Sequence, residues 1–558
     1  MAEALRPVSP TLWRAGWLPA VAFVAPLAAA LWFGVAQAVD AGAWAGLFAD
    51  SQFAPALRLS LWVGSASTLL SLGCVLWIVT RLVGTRAWLR LQALLGGLLA
   101  VPHAAFAIGF ALLLMPSGML ARLLALAAGW DSPPDLATVQ DPWGLALIAA
   151  LVLKEVPFLL WNVAALLQRV GQGAELTRQL QVAATMGYAA RTTWARVLWP
   201  QLLPRLALPL LAVWAYSLSV VDMALVLGPT RPPTLAMLAW QWLLDSDAAM
   251  NRQGAAAALL LAATMALTAV VVVLAARGLR RPIARRWTRG DRPSARPSTA
   301  GFGVGLGVAL YVAVLAMLVF ASIAGVWSFP ALWPALWTLQ AWGAVASAGS
   351  TIGVTAWLAL SAAATGVLLA VAWMEATPPG ADVRAAWALF VPMLVPGVLL
   401  VAGLYRLSLL LGIDGRFAGL WLAHSLYATP YVWVALAPAY RGFDTRYEQA
   451  AHALGRSHAA FLAQVKWPML LAPLAAAFAV GFAVSVTQYL STQFVGAGRY
   501  ATLTTEALTL AAGGQRTTTA AFALAQALLP ASVFAGAWWL ARRQARRLDT
   551  AGSGARGA

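Results

Sequence analysis

An all-α polytopic membrane protein of about twelve transmembrane helices in two parallel-repeat halves is the fold class this sequence predicts, on three observations. Apolar residues make up 61% of the 558-residue chain and charged residues 10%, against roughly 45–50% and about 25% in soluble domains. Long windows such as "WLPAVAFVAPLAAALWFGVAQAV" (17–39) carry no charge and are long enough to cross a hydrocarbon core of roughly 30 Å as a helix. A 20-residue segment at 181–200 recurs at 449–468 in the same place relative to the apolar runs.

Taken in order, the predicted spans are 17–39, 57–80, 91–115, 143–168, 206–228, 253–276, 303–328, 346–374, 384–411, 417–440, 470–492 and 518–541. The sequence before the first span has no small-residue cleavage signal, so an uncleaved first helix is expected. Arginines gather at Arg6 and Arg14, at Arg81, Arg86 and Arg90, within 169–205, within 277–300 and after 541. Asp40, Asp50, Asp131, Asp135, Asp141, Asp245 and Asp247 fall in the alternate loops. This bias places both termini of a multi-pass membrane protein in the cytoplasm. It also accounts for the net charge of +18 without nucleic acid. Cys74, the single cysteine, lies in an apolar run and allows no disulfide framework.

The stretch 277–300, rich in Arg, Pro and Ser, reads as a basic cytoplasmic linker. The expected organisation is an N-terminal tail and first helix (1–55), a first half (56–276), the linker (277–300), a seventh helix with its outer loop (301–343), a second half (344–541) and a basic tail (542–558).

An offset of 268 places Gln181 on Gln449, Ala183 on Ala451, Gly187 on Gly455 and Trp199-Pro200 on Trp467-Pro468, with no gap across 177–235. Both copies lie between the fourth and fifth spans of their half, so the halves share one orientation. The Ala-rich beginning favours a short helix. Gly187 and Gly455 suit a left-handed residue that ends it. A second short amphipathic, basic helix follows, and Pro200 and Pro468 suit the first turn of the next element. The expected result is a cytoplasmic helix–turn–helix knob, able to pass a push between a partner and the membrane helices.

This pattern resembles the "EAA" motif of permease subunits of type I binding-protein-dependent ABC importers, E-A-A-x-x-x-G, nine residues, I-x-L-P. The Gly-to-Pro spacing matches in both copies, and Val197 and Val465 hold the apolar position three before the proline. The fused two-half form is similar to ferric-iron and thiamine-type permeases. The resemblance implies that Gln181, Ala183, Gly187 and Pro200, with Glu448, Gln449, Ala451, Gly455 and Pro468, form two coupling loops that dock a cytoplasmic ABC ATPase, two copies in all. It further implies a periplasmic solute-binding protein and alternating access. Two departures stand out: Gln181 and Gln449 replace the motif's Glu, and Val182 replaces its first Ala.

No G-x-x-x-x-G-K-[ST] loop occurs, and the chain's two lysines, Lys154 and Lys466, follow no such loop. The chain is therefore expected not to be an enzyme and to bind no cofactor, with ATP and Mg in the partner. The four histidines, His103, His424, His452 and His458, show no metal-ligand spacing, so no metal is expected.

Lys154 and Glu155 lie deep in the fourth span, where charges are costly and mark pathways or internal pairs. As sequence neighbours they cannot share a helix face. A pathway role and a structural pairing both stay open. Asp222, Gln488 and Gln493 are further pathway candidates near the ends of the fifth and eleventh spans. Iron, thiamine, a polyamine or another small solute stay open as substrates, and the fused halves favour the thiamine or ferric-iron type. The alternatives are a twelve-helix ion-coupled secondary transporter, which needs no knobs of this spacing, and a membrane enzyme, which should show an interfacial His/Asp/Arg cluster absent from the sequence.

Overall fold

The computed structural model describes residues 10–168, 172–287 and 300–554. Among the described residues the regular structure is helical, apart from one isolated antiparallel bridge between Ala324 and Trp337. Among the described residues, nine helices are long and apolar enough to cross a membrane, or eleven if each of two sharply bent pairs counts as one span. Helix Phe417–Arg441, 25 residues long, has the length for a twelfth. His424, Pro430, Pro438 and three tyrosines dilute its apolarity.

Several spans differ from the sequence expectation, and proline is the recurrent reason. The run expected at 91–115 is two helices, Arg86–Ala100 and His103–Leu114, separated at Pro102. The run expected at 384–411 is Asp382–Leu394 and Gly397–Leu410, separated at Pro396. There the two apolar parts bend by 113°. Proline removes a helical donor and pushes the preceding residue out of the helical region. The fifth span begins inside the repeated motif, as one helix over Ala190–Ser219, whereas its counterpart bends by 75° between His458–Met469 and Leu471–Val486.

The basic stretch after the sixth span is helical at first. Helix Ala248–Trp287 is 40 residues long, about 60 Å at 1.5 Å per residue, and so overruns the hydrocarbon core. The Arg, Ala and Leu of this stretch are strong helix formers. Residues 288–299 of the expected linker lie outside the described residues. Helix Arg516–Gly554 likewise continues into the basic tail.

The repeat is structural as well as sequential. Helix Asp222–Leu227 maps onto Leu490–Val495 at the offset of 268, and helix starts Leu235 and Ala248 map onto Leu503 and Arg516. Thr234 and Thr502 cap the matched helices with their hydroxyls, accepting from the N–H groups of Met237 and Thr505. In each half the second span reaches the same place: Ser60 accepts from the N–H of Leu235, and Thr355 from that of Leu503. Earlier in each half the offset is 294, as for Pro102 on Pro396 and Gly109 on Gly403. The first half thus holds 26 more residues between these points (294 minus 268), which accommodates helix Met119–Ala128 and the loop after it.

The halves exchange their leading spans. Helix Pro10–Gln37 packs on Gly397–Leu410 of the second half, and Ala300–Ile323 packs on His103–Leu114 of the first. A Cβ on Gly403 would lie 1.7 Å from the Ala30 carbonyl oxygen, and one on Gly109 would lie 2.8 Å from that of Val314. The missing side chain therefore sets both crossings. Buried Arg122 ties the outer loop after the seventh span to the first half. Its guanidinium donates to the carbonyls of Ser117, Trp327, Ser328 and Ala331 and stacks 3.9 Å over Trp327. One buried apolar cluster draws on both halves, including Leu112, Met223 and Ala257 with Val398, Leu503 and Ala521.

Candidate coupling loops and intramembrane polar cluster

Both repeated loops fold alike at the backbone. Gly187 and Gly455 have φ of +81° and +70°. The N–H of Gly187 donates to Ala184 and that of Tyr188 to Ala183, while Gly455 donates to His452 and Arg456 to Ala451. These paired bonds close the same left-handed helix end in each copy. Pro200 and Pro468 stand in the first turn of short helices, Trp199–Leu202 and Trp467–Met469. Ahead of each proline the chain widens into a π-turn, Trp194–Leu198 and Leu462–Lys466, at the same offset. The N–H of Trp199 reaches Trp194, and that of Trp467 reaches Leu462. A proline cannot donate and crowds the carbonyl four residues back, so the preceding turn loosens.

The side chains at the loop tips face outward. Gln181, Val182 and Met186 are exposed in the first loop, and Tyr447, Gln449 and Leu454 in the second. Met186 and Leu454 occupy the same repeat position, 56% and 79% exposed, directly before the glycine. Ala451 is buried and Ala183 half-buried, so these two small residues seat the motif helix on its own loop. Trp199 anchors the first loop by donating to the Thr80 hydroxyl of the second span, 3.0 Å. Trp467 anchors the second by donating to the Tyr440 hydroxyl of the tenth, 3.0 Å.

The second loop carries polar contacts that differ from the first. Glu375, at the end of helix Gly349–Ala376, accepts from Lys466 and Tyr440, 2.5 Å each. Arg441 pairs bidentately with Asp382, 2.8 and 2.7 Å, and donates to the carbonyls of Met374 and Thr377. Asp444 caps helix Thr445–Ala453 by accepting from the Arg446 N–H. The Arg446 guanidinium, followed by that backbone bond, holds the Asp444 carboxyl below the usual carboxylate range.

Within the membrane, Lys154 and Glu155 turn to different neighbours, as sequence adjacency requires. The Lys154 ammonium donates to the carbonyls of Val101 and Leu98, 2.7 and 3.4 Å, and to the Tyr311 hydroxyl, 3.2 Å. Those carbonyls lie at the end of helix Arg86–Ala100, where Pro102 leaves them without helical donors, and a cation suits a helix C-terminus. Glu155 Oε1 lies 3.9 Å from His103 Nε2. The His103 ring lies 4.9 Å from that of Tyr216, which donates to Asp222 at 3.4 Å. Glu155, His103, Tyr216 and Asp222 thus form one polar string through the first half. Gln488 accepts from Ser491, and Gln493 is half-buried. No hydrogen bond among the described residues joins either glutamine to Glu155 or Asp222. In the second half, buried His424 bridges Ser485 and Thr492, 2.8 and 3.1 Å. The sequence reading missed His103, Tyr216 and Tyr311 as members of the cluster, and Met186, Leu454 and Glu375 at the loops. A polar residue just after a proline inside an apolar run was the available signal for His103.

No protein-family model matches the chain. It is 36% identical over 524 residues, 93% of its length and 94% of the relative's, to the inner membrane ABC transporter permease protein YnjC of Escherichia coli (strain K12). Over 112 residues, 20% of the chain, it is 30% identical to the spermidine/putrescine transport system permease protein PotC of Haemophilus influenzae and 31% to that of Escherichia coli, covering 44% and 42% of those proteins. With a nearly end-to-end relative, a structural repeat and two matched loops, the chain belongs to the family of inner membrane ABC transporter permeases, in the form that fuses two permease halves in one polypeptide.

Proposed function

We propose that this chain is the permease subunit of an ATP-driven importer, coupled to a separate two-copy ATPase through its two repeated loops. The observation that carries this reading is the pair of exposed apolar tips, Met186 and Leu454, at one repeat position beside left-handed glycines. Exposed apolar surface on a polar loop is what a docking partner covers. Gln181 and Gln449 flank these tips and offer neutral hydrogen bonding where the family motif has a charge. Both loops and both termini then face the cytoplasm, a periplasmic binding protein delivers solute to the other face, and ATP binding swings the loops to alternate access.

The substrate class we favour is a small cation. Glu155 and Asp222 are the acidic members of the intramembrane string, and the relative matched over 112 residues carries spermidine/putrescine in its name. Ferric iron and thiamine are cations as well. The test is uptake into proteoliposomes holding this chain, its cognate ATPase and binding protein, with spermidine, putrescine, thiamine and ferric chelate as trial solutes. Uptake is expected only with ATP, ATPase and binding protein together. Uptake driven by an ion gradient without the ATPase would overturn the reading and favour a secondary transporter.

A further inference from the structure

We propose that Glu448, His452 and His458 on the second loop form a binding site for one divalent transition-metal ion of the zinc class. Glu448 and His452 stand four residues apart on helix Thr445–Ala453 and so share a face. The left-handed turn at Gly455 then folds the chain back. Ser457 starts helix His458–Phe461 by accepting from the Ala460 N–H, which sets the His458 ring 6.5 Å from the His452 ring and nearly parallel to it. Glu448 Oε1 lies 3.8 Å from His452 Nε2 and 3.4 Å from His458 Nδ1, and the three donor atoms all lie within 4.8 Å of one another.

These separations are longer than hydrogen bonds, which lie at roughly 2.7–3.2 Å. They approach the ligand–ligand edge of a tetrahedral zinc site, roughly 3.4 Å for bonds of about 2.0–2.1 Å. A second feature supports the assignment. His458 turns its other nitrogen, Nε2, toward Glu375 Oε2 at 3.5 Å. A carboxylate behind a ligating histidine fixes its tautomer and orientation. Glu375 is itself held by Lys466 and Tyr440. Two imidazoles and a carboxylate suit Zn²⁺, Co²⁺ or Ni²⁺ better than Mg²⁺ or Ca²⁺. The half-exposed cluster leaves a fourth position open to solvent. At the offset of 268 the first loop has Leu180, Ala184 and Ala190 in these places, so the site belongs to the second loop alone. The ligands straddle the Gly455 turn, which is why their sequence spacing shows no metal pattern. A bound ion would join the two short helices across that turn and stiffen one loop of the pair.

The test reads binding directly and does not depend on ATPase docking. Full-length protein without a polyhistidine tag, stripped by chelator, is titrated with Co²⁺ by visible absorption and with Zn²⁺ by equilibrium dialysis. One ion per chain is expected. His452→Ala and His458→Ala should each weaken binding by about tenfold or more, and Glu375→Gln, which keeps all three donors, by about 10- to 100-fold. Arg456→Ala, beside the site, should bind as wild type. Size-exclusion profiles confirm that each variant is folded. Absence of a stoichiometric Co²⁺ spectrum in the wild type overturns the site, as does wild-type affinity in a His452→Ala/His458→Ala double variant.

Discussion

Arg122 and Arg252 show how burial decides what an arginine contributes. Arg122 is buried and satisfies four carbonyls, whereas the Arg252–Asp40 pair, at 2.7 Å, is half-exposed. Arg122→Leu should destabilise the detergent-solubilised protein by roughly 1–3 kcal/mol through the carbonyls it strands. Arg252→Ala should cost about 0–1 kcal/mol. Thermal unfolding followed by size exclusion separates the two. Asp444 gives a pH expectation. Its carboxyl is held low, so its capping contribution is complete above the ordinary value of about 3.9 and is lost as pH falls through the lowered value. Asp444→Ala removes the cap at every pH and should raise amide exchange in Thr445–Ala453. Asp444→Asn keeps an acceptor and should leave exchange near wild type at neutral pH.

Among the elements, the broken spans carry the most information. Pro102 and Pro396 end matched helices, and the opened carbonyls at Leu98 and Val101 give Lys154 its partners. The sequence made both the prolines and Lys154 visible, but only the fold brings the Lys154 ammonium within 3.4 Å of those carbonyls, across more than fifty residues. The loop glycines were legible, because a motif with Gly at a helix end leaves few other conformations. The π-turns before Pro200 and Pro468 were not, since they arise from a conflict between proline and the preceding turn that periodicity does not report. The helix crossings make a further expectation. Gly403→Ala, meeting the Ala30 carbonyl, must push helix Pro10–Gln37 away from helix Gly397–Leu410 and should cost about 1–3 kcal/mol of overpacking. Gly305→Ala, which meets open space, should be tolerated. The measure is the folded, monodisperse yield of each variant.

At the scale of the whole molecule, the exchanged leading spans explain why one chain carries both halves as a unit. Each half's third span leans on a helix from the other half, so neither half buries its apolar surface alone. A chain split within 288–299 should assemble when both pieces are co-expressed, and neither piece should accumulate without the other. The offset of 268 made the two-fold plan legible, together with the positions of the loops. The exchange was not legible, because nothing in an apolar helix names its neighbour. The intramembrane string was half legible: Glu155 and Asp222 stand out by charge, while His103 and Tyr216 join them only through packing.

The proposed coupling requires that the two loops dock an ATPase through their exposed apolar tips, Met186 and Leu454. Co-purification of the cognate ATPase with Met186→Asp, Leu454→Asp and the double variant, each in the full chain, tests this most directly. Each single variant should retain part of the wild-type ATPase ratio, and the double variant should retain none while staying monodisperse. A double variant that holds the ATPase at the wild-type ratio would contradict the claim that these loops are the coupling surface.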